Sequence, residues 1–172
     1  MNPEEALNFI KSRRSIRKYK SDITPSQEEI LKIIEAGIWA PSGLNNQPWR
    51  FVIIKDPKIK KEISQLTRYF KIVESAPVLI VVFLDKNKMY HQIKDHQSAG
   101  ACLQNMMLMA VALGLGTCWL GEILKNEEKL KEVLGIEKEK YELCAVLAVG
   151  YPADDSKRKG RNPIESFILK TL

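Results

Sequence analysis

The sequence predicts a single domain of the α+β class, and three observations carry that prediction. Capped stretches with apolar residues at helical spacing alternate with two short, strongly apolar runs at residues 50–55 and 77–84, where β-branched side chains abound. One much longer helical pattern covers residues 92–113. With 172 residues and 45% hydrophobic content, the chain can close a core without disulfides or metal. No linker, repeat or low-complexity segment divides it, so residues 1–172 read as one domain.

In chain order, Asn2, Pro3 and Glu5 supply a cap, a proline at the first helical position and an acid in the first turn, predicting a helix to about Ser12. Thr24-Pro25-Ser26-Gln27 reads as a capping box, and Ile30, Ile33, Ile34 and Ile38 follow at helical spacing until Pro41 closes the helix. Residues 50–55 form a strand, Asp56-Pro57 caps a short helix, and the run at 77–84 has the continuity of a strand buried on both faces. From 92 to 113, Ala99, Leu103, Met106, Ala110 and Leu113 alternate spacings of four and three, with Cys102 and Met109 beside them. The second half of this helix is apolar on nearly all sides, which predicts burial in a core or between subunits. Gly114 and Gly116 end it. A helix capped by Asn126 and ended by Gly135, then a strand from Tyr141 to Val149, lead into a polar tail.

The net charge of +6 and pI of about 9.2 favour an anionic partner without choosing among nucleic acid, acidic lipid and a phosphorylated cofactor. Lys11, Arg13, Arg14, Arg17, Lys18 and Lys20 form one cluster; Lys157, Arg158, Lys159 and Arg161 form another. Cys102, Cys118 and Cys144 lack a Cys-x-x-Cys pair and read as buried thiols of a reducing compartment. The start Met1-Asn2-Pro3-Glu4-Glu5 has no basic, apolar leader, and no stretch is apolar for a full membrane span, so a cytoplasmic protein with no membrane partner is expected. His91 and His96 are spaced off the i, i+4 metal face, and no metal is expected. With no Gly-x-Ser-x-Gly elbow and no cysteine beside a base, hydrolase chemistry is poorly supported.

Three segments could carry chemistry. Arg13-Arg14-Ser15 places two guanidinium forks beside a hydroxyl, a donor set suited to phosphate; a solvated basic face is the competing reading. The loop Ala40-Pro41-Ser42-Gly43-Leu44-Asn45-Asn46-Gln47-Pro48-Trp49 concentrates amides, which carry donor and acceptor together and can match the edge of a planar heterocycle; an ordinary loop of Asx turns competes. Gly114-Leu115-Gly116-Thr117-Cys118-Trp119 fails as a dinucleotide fingerprint, because Trp119 stands at the third glycine position and the segment leaves a helix rather than opening one. In Trp119-Leu120-Gly121-Glu122, Gly121 would let backbone approach a ring closely and offer it an amide; a buried strand ending in a turn is the competing reading.

Taken in order, these motifs resemble the nitroreductase family over nearly the whole chain, from Arg13 to about Ile168. The resemblance rests on Arg13-Arg14-Ser15-Ile16-Arg17-Lys18-Tyr19, on residues 40–51, on Gly114-Leu115-Gly116-Thr117-Cys118-Trp119-Leu120-Gly121, on Val149-Gly150-Tyr151-Pro152 and on Lys159-Gly160-Arg161. It implies a central, mostly antiparallel sheet flanked by helices, a long buried central helix and an intertwined homodimer with two FMN sites at its interface. By this resemblance Arg13, Arg14 and Ser15, with Lys159 and Arg161, would hold the FMN phosphate. Arg17 would face the pyrimidine end, with Lys71 and Arg68 similarly placed. Pro41, Ser42, Gly43, Asn45 and Gln47 would pack on the flavin from the other subunit, and Trp119, Leu120, Gly121 and Glu122 would cover the opposite face.

The implied activity is an oxidoreductase in which the flavin, with no catalytic side chain, passes hydride from NAD(P)H to nitroaromatic, quinone or related small acceptors by a ping-pong mechanism. The chain leaves little room after Leu84, or between Gly121 and Val149, for helices roofing a substrate channel, so an open pocket is expected. A non-catalytic flavin-binding or storage protein is the alternative. A nucleic-acid-binding module is a further one, although the basic run lacks aromatic interleaving beyond Tyr19, and no nucleic-acid partner is expected.

Overall fold

The apolar run in the middle of the chain forms a strand, β2 (Val78–Asp85), in which every residue is buried. It pairs antiparallel with β1 (Trp49–Ile54) on one side and with β4 (Tyr141–Gly150) on the other. Beyond β4 lies β3 (Gly116–Leu120), also antiparallel, giving the order β1-β2-β4-β3. The computed structural model describes residues 2–153 and 160–172.

Both faces of this sheet are covered. Val78, Ile80, Val82 and Leu84, with Ala145, Leu147 and Val149, pack against α2 (Gln27–Ile38) and α5 (Gln92–Ala112). Leu79, Val81 and Phe83, with Val146 and Ala148, pack against α3 (Pro57–Ser64), α4 (Phe70–Ser75) and α6 (Glu127–Leu134). A continuous apolar strand therefore arises here from helices on both sides of an antiparallel sheet. Each such aliphatic side chain contributes about 1.5–3 kcal/mol by leaving water. A bulge between Val82 and Phe83, where Cys144 falls out of register, keeps Leu143 on the same side as Phe83.

The first helix, α1 (Pro3–Ser12), has the predicted cap: Asn2 Oδ1 accepts from Glu5 N at 2.8 Å and Glu5 Oε2 accepts from Asn2 N at 2.9 Å. None of its residues is buried, and Leu7 and Ile10 are 44% and 52% exposed. The expected box at Thr24–Gln27 is displaced by two residues. Ser26 is the cap of α2, accepting from Glu29 N at 3.2 Å while Glu29 Oε2 accepts from Ser26 N at 2.7 Å. The carboxylate of Glu29 makes a charge-assisted bond that the neutral Gln27 amide cannot.

Helix α5 has 21 residues, and Ala99, Cys102, Leu103, Met106 and Ala110 form its buried face against α2 and the sheet of the same chain. The four-and-three spacing thus marks the chain's own core, while Ile93 stays 65% exposed. Asn126 does not cap α6 with its side chain, because its Nδ2 donates to the Leu66 carbonyl at 2.7 Å. Gly135 ends that helix as expected, in the left-handed conformation with φ of 63°. Helix α4 is not among the predicted elements, while strand β3, ending in a turn, matches the competing reading of Trp119–Glu122. Among the described residues, no helix is long and apolar enough to cross a membrane.

Candidate functional site

After α1 the chain runs extended along β3. Ser15 forms a parallel bridge to Thr117, Ile16 N donates to the Thr117 carbonyl at 2.8 Å, and Lys20 N donates to the Tyr151 carbonyl at 2.9 Å. Gly116 permits this contact, since a Cβ there would lie 2.4 Å from Ile16 Cγ1. Tyr19 locks the far end: it is buried, and its hydroxyl donates to the Ile16 carbonyl at 2.8 Å.

Arg13, Arg14 and Ser15 are consequently half-buried beside β3, and Arg17 is exposed with its Nη1 donating to the Ser15 carbonyl at 3.2 Å. Arg17 lies close enough to Cys118 to draw its thiol pKa down, although burial wins and pushes it up. The hydroxyl of Thr117 is buried and has no hydrogen-bond partner among the described residues. Cys102 and Cys144 are pushed up to about 12 by burial, so they stand as neutral thiols rather than nucleophiles.

Along β3, Cys118 and Leu120 are buried and Trp119 between them is 42% exposed. Leu120 can therefore meet a ligand only through its backbone. Gly121 is exposed and leads into a 3₁₀ turn, Glu122–Asn126. The Glu122 carboxylate fastens this turn to the one after α3: it pairs with Lys125, accepts from Thr67 Oγ1 at 2.6 Å and from Arg68 N at 3.3 Å. The Lys125 and Thr67 bonds hold its pKa down at about 2. Arg68 is thereby tied to the turn that follows β3; Arg68 and Lys71 are exposed and lie over the Tyr69 and Phe70 rings at 5.0 and 5.9 Å. Trp119 also lines a cavity of about 280 Å³ with Leu103, Leu124, His96 and Glu142, the last two joined Nε2 to Oε1 at 2.8 Å.

The amide loop sits elsewhere. Leu44, Asn45 and Gln47 all have positive φ, at 53°, 54° and 46°, an uncommon backbone for residues other than glycine. Pro41, Leu44, Asn45 and Gln47 are exposed, while Ser42 and Gly43 are half-buried. Gly43 is required sterically, because a Cβ would lie 2.1 Å from Tyr90 Oη. Arg50, paired with Asp85 at 3.1 Å, donates to the Gln47 carbonyl at 3.1 Å. Asn46 Nδ2 donates to Asp95 Oδ1 at 2.7 Å in the first turns of α5, whereas Leu115 N donates to the Ala110 carbonyl at 2.8 Å and ties the start of β3 to its last turn. Asp95 and Ala110 are ~22 Å apart along the axis at a rise of about 1.5 Å per residue. The chain's amide loop and its Arg13–Ser15 segment are thus anchored near opposite ends of α5.

Of the remaining expected residues, Arg161 is exposed with its Nη1 donating to the Gly160 carbonyl at 3.2 Å, and Lys159 lies outside the described residues. Asn46, Tyr90, Asp95 and Thr67 shape the site without having been singled out. Asn46 lies in the amide loop, but nothing in the sequence signalled its distant partner Asp95. Two arginines and a serine next to a buried, unpartnered hydroxyl, continuing into an exposed indole and a glycine backbone, fit a phosphorylated planar heterocycle. Among the described residues, no three of His, Cys, Asp and Glu cluster as metal ligands.

Known proteins show the same organisation. The model of the nitroreductase family matches residues 10–69 and 65–151. A protein of Archaeoglobus fulgidus, provisionally named NADH dehydrogenase/NAD(P)H nitroreductase, is 38% identical over 156 residues, which are 88% of this chain and 88% of that protein. FMN reductase (NAD(P)H) of Bacillus subtilis is 31% identical over 180 residues, covering 94% of this chain and 72% of that one. The crystal structure of a provisionally assigned nitroreductase of Desulfovibrio desulfuricans in complex with FMN superposes with a TM-score of 0.93 at 44% identity, covering 100% of this chain and 98% of the other. On these matches and this fold, the chain belongs to the nitroreductase family.

Proposed function

We propose that this chain is an FMN-dependent oxidoreductase that works as a homodimer and passes hydride from NAD(P)H to nitroaromatic, quinone or related small acceptors in a ping-pong cycle. The observation that carries the reading is the pairing of Ser15 with Thr117, which sets a donor set suited to phosphate alongside the strand that bears Trp119 and ends just before Gly121. The FMN complex of the Desulfovibrio relative and the names of the Archaeoglobus and Bacillus relatives support it from outside the chain.

FMN supplies the hydride acceptance and donation when bound. Arg13, Arg14 and Ser15 would hold its phosphate through charge-assisted bonds, with Lys159 and Arg161 joining from the tail. Arg17, and beyond it Arg68 and Lys71, would place positive charge at the pyrimidine end and favour negative charge there. Trp119 and the backbone of residues 120–122 would line one face, their position fixed by the Glu122 contacts to Thr67 and Arg68. Pro41, Ser42, Gly43, Asn45 and Gln47 of the second copy would complete the slot. The ~22 Å between the two anchor points on α5, estimated from its helical rise, supports this division. The cavity beside Trp119 supports a place that the nicotinamide and then a flat acceptor would occupy in turn.

The test is direct. Purified protein should carry FMN, lose its visible absorption under NADH or NADPH in the absence of oxygen, and regain it on adding a quinone or nitroaromatic, with parallel double-reciprocal plots. Colour that no nicotinamide bleaches would identify a flavin-binding protein without this catalysis.

A further inference from the structure

Asp95 is fully buried at the start of α5, and its two oxygens are used differently. Oδ2 accepts from the backbone N–H groups of Tyr90 and His91 at 3.0 and 2.8 Å, closing a helix start whose cap residue, His91, makes no side-chain cap bond. Oδ1 accepts from Asn46 Nδ2 at 2.7 Å. The same Nδ2 donates to the Lys88 carbonyl at 2.9 Å, and the Pro48 carbonyl accepts from Asp85 N at 2.8 Å. Tyr90, whose N–H Asp95 holds, is the residue whose ring closes over Gly43.

Asn46 therefore sits at the centre of the loop as its only side chain reaching into the 85–95 segment in the bonds described, flanked by the left-handed Asn45 and Gln47. Such backbone is uncommon outside glycine and persists where surroundings over-determine it. The Asp95–Asn46 bond is the charged part of those surroundings, since burial raises the Asp95 pKa but the bonds from Asn46, His91 and Tyr90 more than offset this and keep it ionised.

We infer that Asp95 is a positioning residue for the flavin site, acting through Asn46 to hold the loop that presents Asn45 and Gln47 to the cofactor. The inference rests on the proposed function, because it assigns that loop to FMN. It adds two residues, Asp95 and Asn46, that make no proposed contact with the flavin.

The experiment is a double-mutant cycle of Asn46→Ala and Asp95→Asn, read by FMN titration of the apoprotein and by visible circular dichroism of the bound flavin. Each single variant should weaken FMN about tenfold, the worth of one good charge-assisted bond. The double variant should be no more than about twofold worse than the weaker single, as expected for residues acting as one unit. All three should share one altered visible dichroism. Should Asp95→Asn fail to fold, Asn46→Ala decides alone, because it leaves the Asp95 bonds at the start of α5 in place. Wild-type FMN affinity and dichroism in Asn46→Ala, or independent losses that multiply in the double variant, overturn the inference while leaving the functional reading intact. Wild-type protein that takes up no FMN overturns both.

Discussion

Ile16 and Thr117 are joined by one backbone hydrogen bond, Ile16 N to the Thr117 carbonyl at 2.8 Å, and Ile16 packs directly on Gly116. This contact aligns Arg13, Arg14 and Ser15 with β3. Gly116→Val should push Ile16 away, cost about 1–3 kcal/mol of stability by overpacking, and weaken FMN markedly. Thermal melting of the apoprotein and FMN titration measure the two effects; retained affinity would show that the segment's alignment is not needed.

Glu122 should lend the fold a pH-dependent contribution. Its pKa is about 2 in the folded protein against an ordinary value of 4.5, so the stabilisation is full above about pH 5 and is lost as pH falls toward 2. Glu122→Gln should melt below wild type at pH 7, and the gap should close between pH 5 and pH 2. A gap constant over that range would mean that the carboxylate charge is not what binds the turn.

Trp39 closes α2 and is 80% exposed in the protomer, immediately before the amide loop. Exposed tryptophan beside exposed Leu31 and Ile38, which are 51% and 47% accessible, is the kind of apolar patch that marks an interface. Trp39→Asp should leave the protomer folded but shift it to monomer and release FMN together, as followed by sedimentation at protein and flavin wavelengths. A monomer that keeps its flavin would contradict a shared site.

Arg161→Ala should loosen FMN by about 2–4 kcal/mol by stripping one partner from a charged phosphate. Unchanged affinity in a flavin titration would place the tail's cations away from the cofactor.

Much of the fold was legible because it rests on local chemistry. Asn2, Asp56 and Gly135 end or start helices where the sequence indicated, and residues 78–85 are buried throughout. What the sequence left open or missed shares a cause. Spacing shows that Met106 faces something apolar, but not whether that is the protomer's own sheet, as it is, or another subunit. The Thr24 cap gives way to Ser26 because a charged Glu29 is the stronger partner, and Asn126 stands at the cap position of α6 but turns its side chain to the distant Leu66 carbonyl. Within the site, Arg13–Ser15 and the amide loop stood out by composition. Asp95 did not, since a single acid in a helix announces nothing until its 49-residue reach to Asn46 is seen.

The most direct test of a site divided between two copies is complementation. One variant would lack the cations, Arg13→Ala with Arg14→Ala; the other would lack the loop amides, Asn45→Ala with Gln47→Ala. Each homodimer should bind FMN poorly. A purified heterodimer of the two should bind one FMN with wild-type affinity, because one of its two sites draws cations and loop from the unaltered parts of different chains. A heterodimer that binds no better than either parent would place each site within a single chain and contradict the account.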